Sequence, residues 1–233
     1  ASPKKILGII KSESNEVKEK YGDERRTRII KGGAQILSVE DLIPDEENAL
    51  VHTAGGYIKR TNPDEFRKQK RGGVGVVDLD TKEEDFVTML LIASTHSDLL
   101  FFTNKGKAYQ TKMYDIPEGK RATKGKSIMN FLPLGEGESV TSILPMPKEV
   151  KKETSSLMMV TKEGVAKKVA TASFHDVRIS GIIAIKLDGK DELVSASFTH
   201  NKDTVIVVTE KGQSIHFKEA DIREMGRTAM GVR

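Results

Sequence analysis

The chain has 233 residues, a formal net charge of +4, and no cysteine or tryptophan. The absence of cysteine excludes a disulfide framework and thiolate metal sites, and it predicts a reducing, cytoplasmic setting. The apolar runs, such as residues 86–93 and 157–160, are too short to span a bilayer, so we expect no membrane partner. With 37% hydrophobic and 5% aromatic residues, the core must be aliphatic and thin, which suits many small repeated units.

The first predicted element is an N-terminal helix. Residues 4–21 are rich in Lys, Glu and Ile, Ser2-Pro3 is typical of an N-cap followed by the first helical residue, and Gly22 is typical of the end. Four apolar residues fall near one face of this helix: Ile6, Ile9, Ile10 and Val17. Because Gly8 and the cluster of Ser12, Ser14 and Asn15 weaken the helix, it is expected to need a partner surface.

The chain changes character after the helix. Residues 31–48, with paired glycines and an acidic run, are typical of a connector. Residues 49–233 form the main body, in which four segments of the form Thr-x-x-Gly lie between apolar runs. Each predicts a hairpin whose glycine takes the left-handed position of the turn. The hairpin glycines are Gly56, Gly106, Gly164 and Gly212.

A second glycine follows each hairpin at a nearly constant distance. These second glycines are Gly75, Gly125, Gly181 and Gly231. Further strand-like runs separate them from the next hairpin, so each unit offers about four short strands in roughly 50 residues, the size of a propeller-type blade. The fourth unit stops at Arg233, directly after its second glycine, so we expect the chain to be a piece of a longer protein.

Charge follows the phase of this repeat. The segments that contain a hairpin and the following loop are net basic in all four units, whereas the segments between them are net acidic. Arg71, Arg121 and Arg227 each lie four residues before a second glycine, and Arg178 lies three before its own. Stacked units would gather these arginines into a basic band, which is the electrostatic footprint of a protein that binds a phosphate backbone.

Other motifs do not predict chemistry. Residues 119–127 end like a phosphate-binding loop, but the spacing between their glycines is too long. The histidines lack the spacing of metal ligands, no cofactor is indicated, and no nucleophile is paired with a base. The acidic runs 83–85 and 191–192 are interpreted as solvated acids at strand entrances. The chain is therefore expected to perform no chemistry of its own.

Residues 69–75 read Gln-Lys-Arg-Gly-Gly-Val-Gly. This run closely resembles the Gln-Arg/Lys-Arg-Gly-Gly-Arg/Lys-Gly box of the C-terminal domain of the bacterial DNA gyrase A subunit. Residues 56–61, 101–106 and 225–229 also resemble that family, and residues 20–27 resemble the junction at which the catalytic part of the protein ends. The likeness covers essentially the whole chain, although Val74 stands where the box usually carries a third basic residue.

The resemblance implies an all-β fold, a propeller-like β-pinwheel whose four-stranded blades exchange strands with their neighbours, with duplex DNA wrapped round its basic rim. The family has six blades, of which about four would be present, preceded by residues 1–30 as the tail of a helical region. It further implies that the catalytic tyrosine and the ATPase lie outside this chain. The gyrase B subunit and a second A subunit would be partners through the N-terminal part.

The expected DNA ligands combine the box with the cations of the basic phases. They are Lys59, Arg60, Arg67, Gln69, Lys70, Arg71, Gly72, Gly73, Gly75, Arg121, Lys124, Lys126, Lys167, Lys168, Arg178 and Arg227. Two alternatives stay open at this point. One is the C-terminal domain of a topoisomerase IV A subunit, favoured by the departure at Val74, and the other is a protein-interaction propeller whose basic loops bind acidic partners.

Overall fold

The computed structural model describes residues 2–24, 26–27, 38–66, 71, 85–146 and 155–233. They fall into two units, Ala1–Ser38 and Val39–Arg233. The first unit contains helix α1, Pro3–Tyr21, which begins after Ser2 and ends before Gly22, as the sequence predicts. None of its residues is buried within the described chain. No described helix is long and apolar enough to cross a membrane.

The second unit is built from antiparallel strands. They are β1 (Glu47–Thr53), β2 (Tyr57–Thr61), β3 (Val87–Ser94), β4 (Asp98–Thr103), β5 (Lys107–Lys112), β6 (Lys126–Ser127), β7 (Val140–Pro145), β8 (Ser156–Thr161), β9 (Ala166–Ala170), β10 (Ile182–Ile183), β11 (Leu193–Thr199), β12 (Thr204–Val208) and β13 (Ser214–Lys218). The four predicted hairpins are β1–β2, β4–β5, β8–β9 and β12–β13, and each hairpin glycine has a positive φ between +72° and +81°. The turn prediction is confirmed.

The sheets exchange strands between neighbouring units. The described strand orders are β3-β1-β2-β6, β10-β5-β4-β7, β11-β8-β9 and β12-β13. Strand β6 follows the second hairpin in sequence but pairs with β2 of the first sheet, and β10 follows the third hairpin but pairs with β5 of the second. Val232 of the fourth unit likewise bridges to Ala166 in β9. This exchange agrees with the predicted β-pinwheel.

The core lies between successive sheets, and β4 shows why its sequence is apolar without alternation. Leu99 and Phe101 pack toward the first sheet, whereas Leu100 and Phe102 pack toward the third. All four side chains are fully buried. A strand covered on both faces needs apolar residues at every position, and this is what the run supplies.

The segment before β1 is attached to the second unit. The hydroxyl of Thr95 donates to the carbonyl of Pro44 at 2.7 Å and accepts from the amide of Glu46 at 2.8 Å. A ring nitrogen of His96 lies 2.7 Å from the carbonyl of Ile43. The described end of the predicted connector therefore lies against the loop between β3 and β4.

Candidate nucleic-acid interface

A loop leads into each exchanged strand. The described loops span residues 117–125, 176–181 and 223–231. Each loop is held to the residue that stands four positions after the hairpin glycine of the neighbouring sheet. The amide of Arg60 donates to the carbonyl of Pro117 in the first loop at 3.0 Å. In the second loop the amide of Val177 donates to the side chain of Gln110 at 3.3 Å, and in the third the amide of Met225 donates to the carbonyl of Lys168 at 2.8 Å. The three loops thus lie along the same edge of three successive sheets, which we call the loop edge.

The second glycines fix how closely these loops approach. Gly125, Gly181 and Gly231 have positive φ values of +87°, +80° and +113°. A methyl group at these positions would come within 2.5 Å of the β2 backbone, 2.5 Å of the Tyr109 ring and 2.6 Å of the β9 backbone, respectively. Since nothing larger than a hydrogen fits there, the regular spacing of these glycines reflects contact between sheets as well as turn geometry.

Some of the predicted cations are exposed to solvent. Arg178 is exposed in the second loop, Lys126 is exposed in β6 directly after the first loop, and Arg71 is exposed as well. Lys120, which the sequence pattern does not single out, is also exposed in the first loop. Exposed arginine and lysine side chains are the groups that most often bind phosphate oxygens.

Other predicted cations are half-buried, and three of them make internal side-chain contacts. The half-buried cations are Arg60, Arg121, Lys124 and Arg227. The guanidinium of Arg121 donates to the carbonyl of Glu65 at 3.1 Å, and its amide donates to the carboxylate of Glu65 at 2.8 Å. The ammonium of Lys124 lies 4.0 Å above the ring of Tyr57. Arg60 donates from Nε to the carbonyl of Ile116, next to the first loop, at 2.8 Å. These contacts orient the side chains.

Three predicted DNA ligands are buried instead. Lys59, Lys167 and Lys168 have exposed fractions of 1%, 0% and 9%. Lys59 and Lys167 donate to backbone carbonyls, and Lys168 forms an ion pair with Glu219 at 2.8 Å. Burial, with a smaller contribution from the charge of Arg227, lowers the pKa of Lys167 to about 8. Because their ammonium groups point inward, these three lysines are not available to a phosphate in this conformation, which corrects the prediction.

The burial of two of these lysines follows from the repeat. Lys59 and Lys167 stand three residues after a hairpin glycine, the position that Tyr109 occupies in the second unit. An aromatic residue at that position is a sign of an inward-facing site. Summing the charge of each segment does not distinguish buried from exposed lysines. An alignment of the repeated units would place Tyr109 beside Lys59 and Lys167 and would indicate that the position faces inward.

The chain matches the family model described as DNA gyrase C-terminal domain, beta-propeller, over residues 48–94, 97–145, 155–200 and 203–233. Each matched segment contains one of the four hairpins. The chain belongs to this family. Among curated proteins it is 47% identical over its full length to the DNA gyrase A subunit of Clostridium acetobutylicum and 43% identical over 98% of its length to that of Streptococcus pyogenes serotype M1. The chain spans 28% of each of these relatives.

Solved structures agree with this membership. The structure of a DNA gyrase A C-terminal domain is 28% identical, with a TM-score of 0.64 over 80% of this chain and 59% of that one. The C-terminal domain of a DNA topoisomerase IV gives a TM-score of 0.67 over 82% of this chain and 57% of that one. At 24% identity, the latter likeness shows the fold alone, so the topoisomerase IV alternative is not better supported.

The gyrase-type box lies almost entirely outside the described residues. This is so for Gln69, Lys70, Gly72, Gly73 and Gly75, and also for the neighbouring Arg67. Only Arg71 of this set is described. The expectation that the box contacts DNA therefore stays a prediction.

The hairpins of this gyrase-family chain are held by acids, two of which the sequence pattern places in solvent. The hydroxyl of Thr53 donates to Asp85 at 2.8 Å, and the hydroxyl of Thr103 donates to Glu138 at 2.8 Å. Thr161 makes the equivalent bond to Asp191. Each threonine opens a Thr-x-x-Gly turn, so this threonine–acid clamp recurs in three units. The acid lies about thirty residues away in sequence, which hides the pairing from local patterns.

The hydrogen bonds of the clamp favour the ionised acids. Burial acts to raise the pKa of Asp85, but donation from the amide of Gly55 and the hydroxyl of Thr53 outweighs it, so the pKa lies below its ordinary value. The pKa of Glu138 is lowered against the same effect of burial by the amide of Gly135 and by Thr103. The clamped carboxylates therefore carry negative charge at neutral pH, and their role is to fix the hairpin turns.

Proposed function

We propose that this chain is the DNA-wrapping module of a DNA gyrase A subunit, in which duplex DNA follows the loop edge and is bent by it. In the intact enzyme the bend presents a neighbouring DNA segment for strand passage, so that negative supercoils are introduced. The observation that carries the proposal is repetition: loops bearing arginine and lysine recur at one edge of successive sheets.

The energetics favour a row of cations over a single strong site. Bending a short duplex by a large angle costs on the order of 1–6 kcal/mol. Each phosphate that is neutralised releases counterions, and several such contacts along a curved path can offset this cost. Because phosphate contacts carry no sequence information, binding is expected to be insensitive to base sequence.

In this proposal the partners are duplex DNA, the gyrase B subunit and a second A subunit in the cytoplasm. The two protein partners are engaged by the N-terminal part of the enzyme, which also carries DNA cleavage, whereas ATP hydrolysis belongs to the B subunit. The 233-residue chain itself is expected to bind DNA without cleaving it.

The test is the salt dependence of DNA binding by the 233-residue chain. If about 6 phosphates are neutralised, log affinity falls against log salt with a slope near −5, and two unrelated duplexes of equal length give the same curve. Arg178→Ala reduces the magnitude of the slope by about 1 because one phosphate contact is lost. Lys190→Ala, an exposed cation outside the three loops, is the matched control and leaves the slope unchanged. A flat salt dependence of the parent chain contradicts the proposal.

A further inference from the structure

Two of the buried lysines make the same contact across two different unit boundaries. The ammonium of Lys59, in the first sheet, donates to the backbone carbonyl of Arg121 in the loop of the second unit. The ammonium of Lys167, in the third sheet, donates to the backbone carbonyl of Arg227 in the loop of the fourth unit and to that of Ala184 at 2.8 Å. The partners lie 62 and 60 residues apart in sequence.

The carbonyls that these lysines bind belong to two of the arginines that are predicted to contact DNA. Arg121 and Arg227 each lie four residues before a second glycine. The contact therefore fixes the backbone of the loop at the residue whose side chain is expected to meet the DNA. Both arginines are half-buried. The guanidinium of Arg121 also donates to the carbonyl of Glu65.

The second unit provides an internal comparison. Tyr109 replaces the lysine there, and its ring packs against Gly181 while its hydroxyl donates to Glu138 at 3.1 Å. In the loop that this tyrosine contacts, Arg178 lies three residues before the glycine instead of four. The lysine and the four-residue arginine spacing thus occur together in both cases, and the spacing changes where the lysine is absent.

A buried ammonium is costly in general, and an apolar residue of similar length would fill the same space. Retaining a lysine at this position is therefore better explained by the geometry that it imposes than by stability. The burial that lowers the pKa of Lys167 to about 8 is consistent with such a cost.

We propose that Lys59 and Lys167 are positioning residues for DNA binding: each holds the carbonyl of the arginine in the next unit's loop and thereby sets the direction of that arginine toward the phosphate backbone. This inference rests on the proposed function and deepens it. It removes two lysines from the set of direct DNA ligands and gives them an indirect role through Arg121 and Arg227.

The experiment is a double-mutant cycle on DNA affinity in the 233-residue chain, with a random-sequence duplex as the probe. Arg227→Ala is expected to weaken binding roughly threefold to tenfold, since it removes one charge-assisted contact. Lys167→Met is expected to weaken binding by a similar factor, and the double variant is expected to be no weaker than Arg227→Ala alone. Additive losses would overturn the inference, as would a Lys167→Met variant that binds like the parent chain.

Lys168→Met is the matched control. Lys168 is a buried lysine in the same strand, but its ammonium binds the side chain and backbone of Glu219. Its replacement is expected to lower the free energy of unfolding. The folded fraction is measured by circular dichroism, and the DNA affinity of that fraction is expected to be unchanged. An equal loss of affinity from Lys168→Met would mean that general destabilisation is responsible, and it would overturn the positioning role.

The first unit supplies the same test independently. If Lys167→Met does not fold, Lys59→Met is paired with Arg121→Ala in the same cycle and must show the same non-additivity. The outcomes separate the two proposals. A parent chain that does not bind DNA contradicts the proposed function. If the parent chain binds DNA and the arginine variants weaken binding but the lysine variants do not, only the positioning role is contradicted.

Discussion

Two junctions between neighbouring sheets join an arginine loop to the preceding sheet with different side chains. At the first junction the ammonium of Lys59 binds the backbone carbonyl of Arg121, and a methyl group at Gly125 would come within 3.1 Å of the Cβ of the same lysine. At the second the ring of Tyr109 packs directly on Gly181, and its hydroxyl is held by Glu138. What the fold requires at both junctions is therefore close approach of loop and sheet. The fold does not require the positive charge of the lysine for this close approach, since a tyrosine serves at the second junction.

The largest expected effect is a loss of folding stability at the tyrosine junction. Gly181 and Gly164 have nearly equal positive φ values of +80° and +81°, but a methyl group at Gly164 meets nothing within 4 Å. Gly164→Ala is therefore expected to cost only the conformational penalty of about 1–2 kcal/mol. Gly181→Ala should cost about 3 kcal/mol or more, because overpacking against Tyr109 is added. Urea denaturation of both variants measures the difference, and equal losses would show that the tyrosine contact is not tight.

The next effect concerns the lysine type of junction and its response to alkaline pH. The pKa of Lys167 in the folded chain is about 8, below the ordinary value of 10.5. Between these values the unfolded chain holds more protons, so stability rises with pH. The parent chain should gain about 1 kcal/mol per pH unit relative to Lys167→Met across this window. Denaturation of both chains at several pH values across the window measures this gain, and a constant difference would contradict it.

A smaller effect on folding stability is expected at the tyrosine junction when the pH is lowered. The pKa of Glu138 is lowered from 4.5, so its contribution to stability is complete above that pH and is lost as pH falls through the lowered value. Glu138→Gln is expected to cost about 1–2 kcal/mol at neutral pH. The difference from the parent chain should shrink below about pH 4.5. Glu136→Gln, an exposed neighbour, is the control, and a pH-independent cost at position 138 would contradict the clamp.

The same two junctions show how far the sequence could predict this structure. The hairpins were predictable because Thr-x-x-Gly between apolar runs has a local physical cause, and the repeat followed from their spacing. The positions of the exchanged strands β6 and β10 were not predictable from the residues, since two residues carry no periodicity. The burial of Lys59 and Lys167 was not predicted, because charge alone does not tell a buried lysine from an exposed one.

The candidate site also has features that the sequence predicted and features that it did not. The sequence predicted which loops carry the arginines, and the structure brings three of these loops to one edge. The sequence could not predict the threonine–acid clamps, because Thr53 and Asp85 are brought together by the pairing of β3 with β1 and lie far apart along the chain. Contacts that depend on non-local pairing leave no local pattern, and they include both the clamps and the buried lysine contacts.

The central claim, that the loop edge bends DNA rather than merely attracting it, is tested most directly by DNA topology. Closed circular plasmid is relaxed by a type I topoisomerase in the presence of the 233-residue chain, and its topoisomers are then resolved after protein removal. We expect a shift in linking number that grows with protein concentration and decreases when Lys126→Ala is combined with Arg178→Ala. Tight binding with an unchanged topoisomer distribution would contradict the claim.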